Sequence, residues 1–236
     1  MISPRAKCGY TYPYLAQNPF SKKVYKEGYE GVRVTNLMKV DRRKLHEAMD
    51  PNTSERTLEE LAGDADELIR ASVAGNPRTP KEVLEKLAGD EDWWVRMCVA
   101  RNPNVPEEIL EKLAGDERWE VRAVVAGNPR TPDKVLEKLA DDKMRNVKEA
   151  IGKNPRTPKE VLMKLMREHW IVRRAVASNP NVPEELIEKL ANDEDWEVRW
   201  AIAKNPKTPM RLLTKLANDE NEYVRKEAMA RCAQAV

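Results

Sequence analysis

The chain has 236 residues, 35% of them charged and 41% hydrophobic, a balance that fits short amphipathic elements around a buried seam and not a disordered polyelectrolyte. No apolar run approaches the roughly eighteen residues of a membrane span, and the start Met1-Ile2-Ser3-Pro4 lacks the apolar core of a signal peptide, so no membrane partner is expected and the expected location is cytoplasmic. The net charge of +2 joins two unlike parts: residues 1–49 hold ten Lys/Arg against four Asp/Glu, leaving 32 against 36 for the remainder.

Residues 1–49 read as a basic, Tyr-rich cap or extension. Five of the six Tyr and the sole Phe fall before residue 37, interleaved with Arg5, Lys7, Lys22, Lys23, Lys26 and Arg33. Such a mixture can bind nucleic acid through phosphate contacts and base stacking. The preferred reading is a cover for the first apolar face that follows, with Tyr10, Tyr12, Tyr14 and the stretch from Val24 to Val34 as a hairpin or extended segment turning at Gly28 and Gly31. Asp41 is placed to N-cap a short helix ending near Met49. Cys8, Cys98 and Cys232 are odd in number and far apart, which encodes neither a disulfide framework nor a metal site.

From residue 50 onward the sequence is periodic. Asn-Pro recurs at Asn76, Asn102, Asn128, Asn154, Asn179 and Asn205, at spacings of 26, 26, 26, 25 and 26 residues, and Asp50-Pro51 continues the series backwards. About seven two-helix repeats result, filling residues 50–236 and ending in a C-terminal capping helix. In the unit from Asn76 to Arg101, Thr79 reads as the N-cap of a first helix beginning at Pro80, with Glu82 as its capping-box partner. Val83, Leu84 and Leu87 form its apolar face and Gly89 ends it. Asp90 and Asp92 open a second helix with Val95, Cys98 and Val99 inward, and Asn102-Pro103 stops it. Helices of about nine residues, roughly 13 Å, are too short to be stable alone, so stacking must bury the Val/Leu stripes between neighbours.

The run Asn-Pro-Arg-Thr-Pro-x-Glu-Val-Leu-x-x-Leu-Ala-x-Asp, followed by Val-Arg-x-x-Val-Ala, resembles the leucine-rich repeat variant family and, more distantly, HEAT-type repeats. The resemblance covers residues 50–230. It implies an all-α, right-handed α-solenoid whose second helices are short and in places 3₁₀-like. A cysteine-rich iron–sulfur module occurs in one member of that family; here only Cys8 precedes the repeats, so no cofactor is implied.

An Asp and an Arg six residues apart recur as Asp64/Arg70, Asp90/Arg96, Asp116/Arg122, Asp193/Arg199 and Asp219/Arg225, with Arg173 in the same column and Lys148 in the fourth repeat. The column could track phosphates. The better reading is a structural ladder in which each Arg bridges to an Asp of its own or the adjacent unit, because a residue fixed in every repeat serves the interface that every repeat shares. Trp93, Trp119, Trp170 and Trp196 share one column at the start of the second helix, and packing against the inter-helix loop is favoured over an exposed ladder. Repeats four and five depart from the template: Arg145 stands for Trp and Gly152 for Ala, and the fifth loses one residue between Met166 and Trp170, together with its Asp. A change of superhelical curvature is expected near residues 140–170.

Functional residues are sought where the repeat varies. Positions equivalent to Trp94, Met97 and Arg101 lie about 125° from the core face on a helical wheel. Later repeats place Ile171, Arg174 and Ser178, then Glu197, Trp200 and Lys204, then Tyr223 and Lys226 on that stripe. Apolar residues there have no packing duty that the repeat explains, although isolated exposed apolar residues are ordinary. The leading expectation is a non-enzymatic scaffold that binds a protein partner through Trp94, Met97, Arg101, Ile171, Arg174, Trp200, Lys204 and Tyr223. The alternative is nucleic-acid binding through the basic N-terminal segment and the loop residues Arg78, Arg130, Arg156 and Lys207. His46 and His169 belong to different elements, and no phosphate loop, nucleophile motif or metal spacing is present. No catalytic residue, metal, cofactor or small-molecule substrate is expected.

Overall fold

The computed structural model describes residues 40–234, and residues 41–236 form one compact unit. The cover expected from the Tyr-rich stretch, and Cys8, lie outside the described residues. Among those residues there are fifteen α-helices and no strand. Helix α1 (Arg42–Met49) precedes the pairs α2 (Glu55–Leu61) and α3 (Glu67–Gly75), α4 (Lys81–Leu87) and α5 (Trp93–Arg101), and α6 (Glu107–Leu113) and α7 (Trp119–Gly127). There follow α8 (Asp133–Leu139) and α9 (Arg145–Lys153), α10 (Lys159–Leu165) and α11 (Trp170–Ala177), α12 (Glu184–Leu190) and α13 (Trp196–Lys204), and α14 (Met210–Leu216) and α15 (Glu222–Gln234). Even-numbered helices open each pair and odd-numbered helices close it.

The Asn-Pro loop sets both boundaries. Asn76 Oδ1 accepts from the Arg78 amide at 2.9 Å, and the Thr79 amide donates to the Asn76 carbonyl at 3.1 Å, turning the chain. Pro80, extended at φ −59° and ψ 153°, is itself the N-cap of α4, and no side chain caps that helix. The capping box expected from Thr79 and Glu82 is therefore absent. Thr79 is buried and its hydroxyl donates back to the Val73 carbonyl. The last carbonyls of a helix have no partner within it, and Thr79 supplies one to α3. Thr157 and Thr208 do the same for Ile151 and Ile202, both at 2.6 Å.

The second helices are not the short ones, and none contains a 3₁₀ segment. From α3 to α13 they run eight or nine residues against seven in the first helices. The reason lies in the turns. Ala88-Gly89 tightens the end of α4, the Gly89 amide donating three residues back to the Lys86 carbonyl at 3.0 Å. The second helix runs until Asn-Pro stops it; α5 starts on a side-chain cap, Asp92 Oδ1 accepting from the Trp94 amide at 2.7 Å, while α7 and α9 reach the same length without one.

Neighbouring odd helices stack directly on one another in chain order, and each even helix lies against the odd helices before and after it. Close stacking needs small residues at the contact: Ala74, Ala100, Ala126, Gly152, Ala177 and Ala203 occupy one column and all are buried. Val95, Val99, Leu84 and Leu87, each at most 1% exposed, fill the seam between the layers, and each fully buried Leu contributes about 1.5–3 kcal/mol. Neighbouring even helices are linked at the surface by ion pairs such as Lys134–Glu111 at 2.7 Å and Lys159–Glu185 at 2.9 Å. Exposed pairs of this kind contribute about 0–1 kcal/mol, so the apolar seam dominates.

The two ends of the described array depart from the repeat in different ways. Helix α1 stacks on α3 as every other odd helix stacks on the next, Asp41 caps it through the Arg43 and Lys44 amides, and Lys44 Nζ meets Asp64 at 2.7 Å. It stacks as a second helix does, without a described first helix, within the compact unit that begins at Asp41. At the other end Arg231 stands where Asn is due. Its Nη1 donates to the carbonyls of Ala203, Lys204 and Asn205 at 3.0–3.2 Å, much as Asn205 Nδ2 reaches Ala177 and Asn179. Lacking Pro, α15 runs on to Gln234.

Candidate interaction surface

The charged columns come first, because they decide which cations are free. Five rungs are two-pronged: Arg70–Asp90, Arg96–Asp116, Arg122–Asp142, Arg173–Asp193 and Arg199–Asp219, each with Nε donating to Oδ2 at 2.6–2.7 Å and Nη2 to Oδ1 at 2.8–3.1 Å. Each pair joins one repeat to the next. Nη1 meanwhile donates to a carbonyl of the arginine's own repeat, as Arg199 does to Asp193 at 2.8 Å and Glu194 at 3.1 Å. With Glu220 at 3.0 Å from Nη2, every donor of Arg199 is engaged. The bond to Asp219 holds the Arg199 guanidinium above its ordinary pKa against the opposing effect of burial. Burial works to raise Asp116, but Arg96 and the Arg118 amide outweigh it and hold the carboxyl below the ordinary range. Asp90, Asp142 and Asp219 are lowered for the same reasons.

Two further rungs carry other residues. Lys148 reaches Glu168 with a single bond at 2.7 Å, and Lys44 reaches Asp64. Glu168 thus fills the place of the Asp expected to be missing from the fifth repeat, and the deleted residue is the one after it, because Arg173 Nη1 donates to the Glu168 carbonyl five residues back instead of six. Arg225 keeps its bonds to the Asp219 and Glu220 carbonyls and has no carboxylate partner among the described residues.

The variable stripe is divided by burial. Met97 is 6% exposed and is not a surface anchor. Ala71, its counterpart one repeat earlier, is 4% exposed, whereas later repeats place the half-buried Arg174 and Trp200 in the same column. Trp94, Arg101, Ile171, Arg174 and Trp200 are half-buried, while Lys204 and Tyr223 are exposed. Tyr223 does not join the others but stacks on Trp196, with ring centres 5.5 Å apart. Three of the four Trp in their column are half-buried and the fourth is exposed: Trp93 lies under the Arg118 guanidinium at 4.8 Å and Trp170 under Arg174 at 5.3 Å, whereas Trp196 is 39% exposed.

Arg174, Trp200 and Lys204 converge on an open groove of about 380 Å³, which Lys153, Ser178, Ala201, Asn205 and Pro206 complete. Trp94 and Arg101, on α5, are not part of it. Lys204 Nζ sits 4.5 Å above the Trp200 ring, a cation–π contact. Arg174 pairs with Glu197, and Lys153 with Glu149 at 2.6 Å, whereas Lys204 has no carboxylate partner among the described residues. Lys153 and Ser178 lie on the stripe as read from sequence, but no periodic signal marks Asn205 or Pro206 as lining residues, since both belong to the invariant loop. Among the described residues no cluster of His, Cys, Asp or Glu could hold a metal, and no helix is long and apolar enough to cross a membrane.

Comparison with known proteins gives consistent matches. A family model described as leucine rich repeat variant matches residues 68–92, 93–118 and 119–144, and one described as leucine rich repeat variant domain matches residues 148–201. A solved structure described as a leucine-rich repeat variant with a novel repetitive structural motif is 32% identical, covering 77% of this chain and 73% of its own, with a TM-score of 0.54. Two engineered proteins match at 19% and 20% identity over 85% and 82% of this chain and 76% and 96% of theirs, with TM-scores of 0.37 and 0.30. No curated protein matches the chain.

Proposed function

Because the chain belongs to the leucine-rich repeat variant family, we propose that it is a non-enzymatic cytoplasmic scaffold that binds a protein partner across the open face of its second helices. The groove built by Arg174, Trp200 and Lys204 carries this reading. The column of Trp200 holds Ala71, Met97, Ala123, Glu149 and Arg174 in other repeats, so the repeat itself does not require a Trp there, and half-buried aromatics flanked by polar groups are the usual anchors of protein interfaces. Trp94 and Ile171, also half-buried, extend the surface along the stack. The test is affinity capture of the full chain from its native cell, comparing wild type with a Trp94→Ala/Trp200→Ala double variant. Loss of a stoichiometric partner from the variant supports the proposal; an unchanged set of partners defeats it.

A second reading is nucleic-acid binding, which the exposure of Arg78, Arg130, Arg156 and Lys207 on four of the six Asn-Pro loops favours. Retention on single-stranded or duplex oligonucleotides that falls steeply with salt supports it. No retention at low salt removes it.

A further inference from the structure

From α3 onward one column at or near the end of the second helices alternates between small and cationic residues: Gly75, Arg101, Gly127, Lys153, Ser178, Lys204 and, inside the longer α15, Ala230. Small residues leave notches and the cations flank them. The groove lies at one such notch, with Ser178 on its lining between Lys153 and Lys204 and Trp200 beside them.

From this alternation, resting on the protein-scaffold reading above, we infer that the groove binds an extended acidic polypeptide segment, holding one apolar side chain against Trp200 and carboxylates at Lys153 and Lys204. Charge decides the sign of the occupant. Arg130 and Lys207, on loops that follow second helices, add exposed cations to this edge, where Arg156 faces Asp133 at 3.6 Å, and Lys204 carries its charge with no carboxylate partner among the described residues.

Charge also separates a peptide from a nucleic acid. Glu120, Glu149 and Glu197 stand on the same stripe, the last two bonded to groove cations. They repel a phosphodiester backbone, whose charge is uniform, but accept a polypeptide that places its own basic or neutral residues opposite them. Packed helices lie about 8–10 Å apart, so Lys153 and Lys204, two helices apart, are separated by roughly 16–20 Å at their backbones. An extended chain advancing about 3.3 Å per residue covers that in five or six residues. The preferred segment therefore has acidic residues five or six apart with an apolar residue between them.

The experiment uses the full chain and a fluorescein-labelled twelve-residue peptide with two Glu pairs flanking a central Phe, read by anisotropy. Its Gln-substituted counterpart and a single-stranded oligonucleotide of equal charge serve as competitors. The acidic peptide is expected to bind at least about tenfold tighter than the Gln peptide, with affinity falling as salt rises. Lys204→Glu and the milder Lys204→Gln weaken it about tenfold and severalfold respectively, Trp200→Ala weakens both the acidic and the Gln peptide, and the remote Arg78→Glu changes nothing. Equal binding of the acidic and Gln peptides, indifference to both Lys204 variants, or an oligonucleotide that outcompetes the peptide overturns the inference. If the peptide fails while Trp94→Ala/Trp200→Ala still loses the native partner, the scaffold reading survives and only its partner chemistry is wrong.

Discussion

Arg96 of one repeat and Asp116 of the next face each other as a two-pronged pair, Nε to Oδ2 at 2.6 Å and Nη2 to Oδ1 at 3.0 Å, with side chains only 10% and 5% exposed. Each partner has given up water for the other. Arg96→Met removes the charge and its anchoring bonds to the Asp90 and Glu91 carbonyls, leaving Asp116 buried with little but the Arg118 amide. The expected cost is about 3 kcal/mol, measured by urea denaturation. Arg122→Lys recreates the Lys148 arrangement and should cost clearly less. Equal losses for the two variants would show that the forked geometry, and not charge alone, holds the register.

The same carboxylates predict the acid limb of stability. Asp90, Asp116, Asp142 and Asp219 have pKa values below their ordinary 3.8 in the folded chain. The unfolded chain then takes up protons first, so the stabilisation is fully present above about pH 4–5 and is lost as pH falls through the folded values. Urea midpoints should be flat from pH 7 to 5 and drop between pH 4 and 2.5. Arg96→Met should flatten that drop, because Asp116 no longer has a lowered value to lose.

The junction between repeats four and five is a weak point inside the ladder. One Lys–Glu bond replaces the fork there, and the turn that follows is a residue shorter. Hydrogen exchange should find amides of residues 141–170 opening before those of the flanking repeats. Uniform protection would show that the apolar seam alone sets local stability. Gly152 compensates within the same junction: a Cβ built on it would lie 2.9 Å from Ala175 Cβ and 3.1 Å from the Val176 amide nitrogen. The other second helices carry Ala in this column, so Gly152→Ala is a return to consensus that should nevertheless destabilise by about 1–3 kcal/mol through overpacking. A stabilising outcome would mean that α9 and α11 separate freely.

Periodicity made the architecture legible, because a fixed residue in every repeat reports a fixed contact. The Arg and Asp columns could be read in this way, while the rungs Lys44–Asp64 and Lys148–Glu168 were not seen as rungs. A search for opposite charges twenty residues apart would have found both. Met97 misled because a helical wheel divides core from surface and takes no account of the third direction, along the stack, where one second helix covers the next. Thr79 misled because capping statistics describe one helix, whereas its hydroxyl serves the helix before. The groove was half visible: Arg174, Trp200 and Lys204 stand out as variable residues, but their convergence depends on how α9, α11 and α13 stack.

Cys98 is a half-buried residue on α5 whose thiol is pushed up to about 11, chiefly by burial. Only the thiolate attacks disulfide reagents, so at pH 8 Cys98 should react orders of magnitude more slowly than a free thiol and speed up as pH rises towards 11. Its folded value lies above the ordinary 9.0, so its contribution to stability is intact below pH 9 and is lost between there and 11. Labelling at pH 8, read by peptide mass spectrometry, checks this; modification of Cys98 at the rate of a model thiol would show that α5 opens at that site.

Asn154 shows what the Asn column does beyond stopping helices. Its Nδ2 donates to the buried carbonyls of Ala126 at 2.7 Å and Asn128 at 2.9 Å in the preceding repeat, while Oδ1 accepts from the Arg156 amide at 2.9 Å. Asn154→Ala leaves both carbonyls without that donor and should cost about 2–3 kcal/mol. Asn154→Asp keeps the turn, as Asp50 does with the Asn52 amide, but points a carboxylate at two carbonyl oxygens. At pH 7 it should therefore be at least as damaging as Ala. Protonation restores a donor, so the Asp variant's folded pKa is raised and its stability relative to the Ala variant must improve as pH falls from 7 to 5. Denaturation of both variants across that range decides the matter: parallel profiles would mean that these carbonyls find water when Asn is lost, and that the column is held by the turn alone.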